Sequence, residues 1–189
     1  MAPPAQSPLL DLFISYARED ATAIRLIERA LAGRGKTCWI DEVAGAILPA
    51  SEHWAAITDA IERCQAFVWT ISPHSLASRY CRNELQHAIA RGLRLIPVVL
   101  SAEPLAEIPP EVMKLDYIFF RQPEEMENAV AEIADALEID VEWEKQRRLF
   151  VLRASTWEEE RDPSRLLRAR ELESALEWRS RLPAHGQIP

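Results

Sequence analysis

Short apolar segments alternate with more polar segments five times between residues 9 and 137. The apolar segments are rich in strand-forming residues and lie at 9–16, 36–41, 66–72, 93–100 and 115–121. Several of the segments between them repeat apolar residues at helical spacing. Successive parallel strands need crossover connections, and these connections cover both faces of the sheet. The pattern therefore predicts an α/β fold built on a parallel sheet of five strands.

Composition and charge limit the classes of partner. The chain has 189 residues, 48% hydrophobic and 28% charged, enough for one good core and an appendage. Residues 1–138 hold 12 Lys and Arg against 20 Asp and Glu, whereas residues 139–189 hold 10 of each. The whole net charge of −8 thus falls on the first part, and an acidic surface disfavours nucleic acid as its partner.

Targeting signals are not evident. No apolar run approaches the roughly 20 residues of a membrane span, and the first eight residues lack the basic and apolar regions of a secretory signal. We therefore expect a cytoplasmic protein without membrane contact. The three cysteines, Cys38, Cys64 and Cys81, match neither a zinc site nor a redox pair, and we expect buried free thiols.

The chain divides into four segments that differ in composition and in the spacing of apolar residues. Residues 1–8 are predicted to be a flexible leader, 9–138 the α/β domain, 139–182 a helical tail, and 183–189 a flexible end. In the tail, Trp143, Phe150 and Trp157 recur at helical spacing. Asp162 and Pro163 have the pattern of an N-cap and first-turn proline for a second helix. We expect the two helices to form an antiparallel hairpin.

Several chemistries are disfavoured by missing motifs. With five glycines, the chain contains neither a GxGxxG nor a Walker loop, so it lacks the backbone cradle for phosphates. The four histidines have no metal-ligand spacing, and we expect neither a metal nor a cofactor. The third strand ends in Ser72, where a response regulator needs an aspartate. The GxSxG elbow of an α/β-hydrolase is also missing.

Glu84 is the remaining candidate for chemistry. Residues 75–92 are predicted to form one helix, with Cys81, Leu85 and Ala88 on its buried face and Glu84 at the edge of that face. The helix follows the third strand, and parallel sheets bind ligands at the carboxyl ends of their strands. A glutamate at this edge is either partly desolvated and reactive or simply solvated. One carboxylate suffices to cleave an N-ribosyl bond whose leaving group departs as a neutral base, as nicotinamide does.

Four segments in order resemble a bacterial TIR (Toll/interleukin-1 receptor) domain: DLFISYAREDA at 11–21, CWID at 38–41, a following loop that contains Leu48-Pro49, and SRYCRNEL at 78–85. The resemblance covers residues 9–137. It implies a flavodoxin-like sheet with strand order 2-1-3-4-5. It also implies an NAD⁺ glycohydrolase in which NAD⁺ is the substrate.

The resemblance also implies the residues of the site. The catalytic glutamate of the family falls on Glu84, in a pattern completed by Ser78, Tyr80 and Cys81. The expected substrate-binding residues are Phe13, Ser15, Tyr16, Arg18, Trp39, Asp41, Ser78, Tyr80 and Cys81. The family's BB loop, an assembly element, falls on residues 42–51, with Ile47, Leu48 and Pro49 as its contacts. Where many bacterial members have Pro-Gly, this chain has Pro49-Ala50.

Three functions remain open. The first is an NAD⁺-cleaving immune or antiphage effector that self-association activates. The second is a non-catalytic TIR–TIR interaction module in bacterial signalling. The third is a nucleoside-processing enzyme such as a deoxyribosyltransferase, although the opening DLFISYAR fits a TIR domain better. The tail also resembles a segment that precedes a sensor module in bacterial signalling proteins, and such a module is a further expected partner.

Overall fold

A computed structural model describes residues 10–40, 50–101, 108–138 and 141–181. Its centre is a parallel sheet with the order β2-β1-β3-β4-β5, which confirms the predicted flavodoxin-like arrangement. The strands are β1 (Leu10–Ser15), β2 (Cys38–Ile40), β3 (Cys64–Ile71), β4 (Arg94–Val99) and β5 (Ile118–Phe119).

Helices connect the strands and cover both faces of the sheet. They are α1 (Ala21–Gly33), α2 (Ala50–Arg63), α3 (Pro73–Ala77), α4 (Arg79–Ala90), α5 (Pro110–Met113) and α6 (Met126–Leu137), followed by α7 (Val141–Glu160) and α8 (Ala169–Ser180). None of the described helices is both long enough and apolar enough to span a membrane.

The alternation of side chains along β1 builds two hydrophobic cores. Leu12 and Ile14 point to the face that α1 and α6 cover, and Phe13 points to the face that α2 and α4 cover. β3 supplies both cores, with Val68 on one side and Phe67 on the other. Fully burying a side chain of this size contributes about 1.5–3 kcal/mol to folding. Both faces are therefore closed, and the edge formed by the carboxyl ends of the strands is left for the site.

The predicted helix over 75–92 is wrong in one respect, because it is two helices. Ser78 ends α3 and begins α4 in an extended conformation, with φ −75° and ψ 118°. Its hydroxyl accepts a hydrogen bond from the Cys81 N–H at 3.3 Å, which satisfies an N–H that the start of α4 leaves open. α3 has its own cap, because Ser72 and Ser75 exchange side-chain and backbone hydrogen bonds as a capping box.

The cap predicted at Asp162 differs from the structure, and Asp20, which has the residue type of a cap at the start of α1, does not cap that helix either. Asp20 makes no capping hydrogen bond to α1 and instead accepts one from the Ser72 hydroxyl at 2.6 Å. Asp162 caps a short 3-10 turn at Pro163–Arg165, and α8 begins only at Ala169. In both places the side chain has a local or tertiary partner that competes with the helix end.

The tail is an antiparallel helical hairpin, as predicted. Trp143 near the start of α7 stacks on Trp178 near the end of α8, with ring centroids 4.7 Å apart. Each indole N–H donates to the backbone carbonyl of the other tryptophan, at 3.1 and 3.0 Å. Phe150 packs against Trp178 as well, with its centroid 5.0 Å away. These paired contacts fix the register of the two helices.

α7 also packs against the end of α4. The buried guanidinium of Arg147 donates to the Gly92 carbonyl at 2.7 Å, and Arg148 donates to the Arg91 carbonyl at 3.0 Å. Val151 lies so close to Gly92 that a Cβ there would come within 3.1 Å of its Cγ1. Gly92 has φ +63°, which favours glycine for a second reason. The tail thus contacts the sheet domain where α4 turns into β4.

Candidate active site

A carboxylate and a hydroxyl meet at the carboxyl edge of the sheet. β1 ends at Ser15, α4 places Glu84 in its second turn, and the Ser15 hydroxyl donates to Glu84 Oε2 at 2.6 Å. Both side chains are buried, Ser15 at 1% exposed and Glu84 at 6%. A buried carboxylate is costly unless hydrogen bonds replace its water, and a short O–H···O⁻ bond is among the stronger ones.

Contacts with β3 hold the backbone of Ser15 in place. Ser15 pairs with Trp69 in the β1–β3 register, and the Thr70 hydroxyl donates to the Ser15 carbonyl at 2.8 Å. Thr70 is fully buried, so water does not compete for this bond. Since β1 lies between β2 and β3, Ser15 ends an interior strand rather than an edge strand. The hydroxyl that meets Glu84 is therefore held by a rigid part of the fold.

Cys81 lies beside the pair on the buried side of α4. Burial is the largest influence on this thiol and raises its pKa, while hydrogen bonds with Ser78 and Ser15 act in the opposite direction. The charge of Glu84 raises the pKa further. A thiol of this kind stays protonated at neutral pH, so Cys81 is a packing residue rather than a nucleophile.

A stack of aromatic rings adjoins the site on the same face of the sheet. Phe13 lies between Trp39 and Phe67, with centroids 4.7 and 5.4 Å away and nearly parallel planes. Phe13 and Phe67 are buried, whereas Trp39 is half-buried. Trp39 is thus the ring of this stack that a ligand can reach, with Phe13 supporting it. Tyr16 packs against the opposite core, which α1 and α6 cover.

The rim of the site carries two cations and an exposed phenol. Tyr80 is 56% exposed, and the Arg79 guanidinium lies over its ring and donates to its hydroxyl at 3.2 Å. This hydrogen bond lowers the pKa of Tyr80, and the charges of Arg79 and Arg18 lower it further. Arg18 and Arg79 therefore place two positive charges near Tyr80, on a domain whose sequence is acidic overall.

The remaining expected residues are placed as follows. Ser78 caps α4, six residues before Glu84. Asp41, Ile47, Leu48 and Pro49 lie outside the described residues. Among the residues that the structure describes, no group of three or more His, Cys, Asp or Glu side chains is arranged to hold a metal ion.

The sequence patterns do not single out two residues of the site. Arg79 stands next to Tyr80 at a helix start, which is a usable signal for a charged rim. Thr70 lies inside an apolar strand, where a hydroxyl must find a hydrogen-bond partner. The partner of Thr70 is a backbone carbonyl, which a side-chain pattern does not reveal.

A second concave feature lies in the tail, away from Glu84. It is a groove of about 610 Å³ between α7 and α8, which we call the tail groove. Apolar side chains make up most of its lining, including Phe150, Trp157, Leu167, Leu172 and Leu176. Leu172 and Leu176 are exposed, which is unusual for two leucines on one helix face unless a partner covers them.

Comparisons with known proteins agree with this fold. A family model described as "TIR domain" matches residues 12–134. The TIR domain of the Toll-related receptor TRR-2 from Hydra magnipapillata is 22% identical, with a TM-score of 0.52, over 66% of this chain and 98% of that chain. No curated protein matches the chain.

A metazoan TIR-STING receptor from C. gigas is also similar. It is 23% identical with a TM-score of 0.53, over 71% of this chain and 43% of the receptor. Its complex with 2′,3′-cGAMP gives 26% identity and a TM-score of 0.50, over 69% of this chain and 42% of the receptor. This chain thus matches less than half of the receptor's length. Because the family model spans more than half of the chain and the fold is shared with these structures, the chain belongs to the TIR domain family.

Proposed function

We propose that the chain is an NAD⁺ glycohydrolase in which Glu84 is the catalytic residue. The observation that carries the proposal is the buried carboxylate of Glu84, held by Ser15 at the carboxyl edge of the sheet. Ligands of open α/β sheets bind at this edge. A buried, hydrogen-bonded carboxylate at such an edge is a candidate catalytic group rather than a packing residue.

The proposed reaction breaks the bond between C1′ of the ribose and the ring nitrogen of nicotinamide. The electron pair of this bond goes to the ring nitrogen and cancels its positive charge, so nicotinamide leaves without a proton donor. Glu84 stabilises the positive charge that develops on the ribose. A water oxygen then bonds to C1′ and releases its proton, for which the carboxylate is the nearby acceptor.

Other groups at the edge fit parts of the dinucleotide. The half-buried ring of Trp39, supported by Phe13, suits stacking with adenine or nicotinamide. Arg18 and Arg79 at the rim suit the negative diphosphate, because guanidinium groups bind phosphates well. Asp41 and the BB-loop residues Ile47–Pro49 belong to the proposal only through the family resemblance.

We expect activity to depend on self-association, because TIR enzymes commonly complete their cleft with a neighbouring TIR domain. In this proposal the chain is an immune or antiphage effector whose trigger brings TIR domains together. The immediate partners are then NAD⁺ and other TIR domains.

The test is nicotinamide release from NAD⁺ by the full chain, both dilute and artificially clustered on multivalent beads. Clustered parent protein is expected to release nicotinamide, and clustered Glu84→Gln is expected to lose at least 100-fold in rate, as when a group that acts in the transition state is removed. The matched control is Glu111→Gln, the same chemical change at an exposed position of α5. Equal rates for parent and Glu84→Gln remove Glu84 from the mechanism.

The tail groove favours a second candidate function, a TIR interaction module without catalysis. An apolar groove with exposed Leu172 and Leu176 is suited to contact another protein, such as a sensor module. Stable association of the chain with a partner, together with no loss of NAD⁺ under any clustering, would favour this function over the first.

A further inference from the structure

The position of Ser15 is inconsistent with direct contact with a substrate. The family resemblance places Ser15 among the substrate-binding residues, but its side chain is 1% exposed and its hydroxyl donates to Glu84 Oε2. A ligand above the sheet edge does not reach a hydroxyl that is both covered and engaged. We infer that Ser15 is a positioning residue, which affects the reaction only through Glu84; the inference rests on the proposed function.

The hydrogen bond orients the whole carboxylate. A glutamate on a helix has three side-chain torsions, and the last of them is broad and poorly restrained. With Oε2 bound at 2.6 Å, the plane of the carboxylate is fixed and the direction of Oε1 follows from it. The bond thus converts a flexible acid into one with a defined direction. Charge stabilisation in the transition state depends on such fixed direction.

Both partners of this bond are rigidly mounted. Ser15 ends an interior strand, and Thr70 holds its carbonyl at 2.8 Å. Glu84 stands on α4, whose first turn is fixed by the Ser78 cap and whose buried face packs through Leu85. The two residues are 69 positions apart in sequence, so their meeting is a property of the tertiary structure. A bond between rigid elements transmits orientation, whereas a bond to a loop would not.

Cys81 beside the pair is a weaker donor than the Ser15 hydroxyl, and its thiol interacts with Ser15 as well. A thiol is a weak donor, and burial keeps this one protonated. If the Ser15 hydroxyl is removed, Glu84 loses the short bond to Oε2, and the thiol replaces that bond only weakly. Misplacement of a catalytic group by about 1 Å is enough to cost roughly 100-fold in rate.

The experiment compares Ser15→Ala with the parent in the clustered full chain. The expected result is a fall in kcat of roughly 10- to 100-fold with KM changed less than about twofold. Ser15→Cys is the second variant, because it keeps the volume of the side chain and replaces a strong donor by a weak one. It is expected to lose kcat in the same direction. The matched control is Ser75→Ala, which removes another fully buried serine hydroxyl, in the α3 cap, and is expected to stay within about threefold of the parent.

A binding measurement separates positioning from substrate contact. In the Glu84→Gln background, Ser15→Ala is expected to leave the Kd for NAD⁺ within about twofold, since Ser15 does not touch the substrate. An unchanged kcat for Ser15→Ala, a much weaker NAD⁺ affinity, or an equal loss in Ser75→Ala would each overturn the inference. No nicotinamide release by the clustered parent would remove the proposed function and this inference together. Equal release by the parent, Ser15→Ala and Ser15→Cys would remove the inference alone.

Discussion

The contact between the tail and α4 can be tested at a single glycine. Gly92→Ala adds a Cβ that lies 3.1 Å from Val151 Cγ1 and 3.2 Å from Val151 Cβ. Crowding of a packed contact costs about 1–3 kcal/mol. We expect the lower end of this range, because a shift of Val151 by a few tenths of an ångström relieves the close contact. The left-handed φ of +63° costs a further 1–2 kcal/mol or so in a residue with a Cβ. The entropy that alanine removes from the unfolded chain returns roughly 0.4–1 kcal/mol.

The net expectation for Gly92→Ala is a loss of about 2–3 kcal/mol in the free energy of unfolding. The chain offers a matched control in Gly35→Ala, because Gly35 has φ +74° but no atom within 4 Å of an added Cβ. That variant carries only the backbone strain, and we expect a loss of about 1 kcal/mol. The difference between the losses in the free energy of unfolding of the two variants therefore measures the packing of α7 against Gly92, and we expect about 1–2 kcal/mol.

Urea unfolding followed by tryptophan fluorescence measures both variants. A third variant, Val151→Ala, completes a double-mutant cycle with Gly92→Ala, and the two substitutions are expected to couple favourably by about 1 kcal/mol. Equal losses for Gly92→Ala and Gly35→Ala, with no coupling to Val151, would show that α7 does not rest on this turn.

Three further changes have defined expectations. Arg79→Gln removes the donor that lowers the pKa of Tyr80, so the phenol is expected to titrate at higher pH by difference absorbance against Tyr80→Phe. Burial raises the pKa of Cys64 from 9.0 to about 12. Between these pH values the unfolded chain loses the thiol proton and the folded chain keeps it. The contribution of this thiol to the free energy of unfolding is therefore constant below pH 9 and decreases above it. Cys64→Ala is expected to remove up to about 1.4 kcal/mol per pH unit of that fall, measured by urea midpoints at pH 8, 9.5 and 10.5. Arg147→Met removes both the partner of the part-buried Glu144 carboxylate at 2.6 Å and the hydrogen bond to the Gly92 carbonyl, and we expect the free energy of unfolding in urea to fall by about 3 kcal/mol. An unchanged free energy of unfolding would contradict this expectation.

The sheet was predictable because its strands carry their own signals. β3 is apolar on both faces and bounded by polar residues, so a strand covered on both faces follows from its sequence. The strand order came from the resemblance to TIR domains and agrees with the structure. β5 is only two residues long, much shorter than the apolar run at 115–121, because it pairs only with Val98 and Val99 of β4. Length of pairing is a tertiary property that a run of apolar residues does not encode.

The candidate site was predictable in part for the same reason. Glu84 was expected at the edge of a buried face, and the structure buries it almost fully. Its hydrogen-bond partner there is Ser15, a residue on a distant strand that the spacing of apolar residues does not connect to Glu84. Helix ends were the least predictable feature. Asp20 has the residue type of a cap, but the Ser72 hydroxyl competes for it across the fold.

The position of α7 has a practical consequence for how this domain can be attached to a scaffold. Glu84 lies six residues, or about 9 Å along α4, before the last helical residue Ala90, and Gly92 follows two residues later. Gly92 leads into β4 at the amino end of that strand, whereas Ser15 and Glu84 meet where β1 stops, at the opposite edge. A scaffold joined after α8 would therefore hold the domain on the side opposite to the edge that carries Ser15 and Glu84. Many copies could be displayed on such a scaffold with the edge that carries Ser15 and Glu84 directed outward, available both to a small molecule and to neighbouring copies.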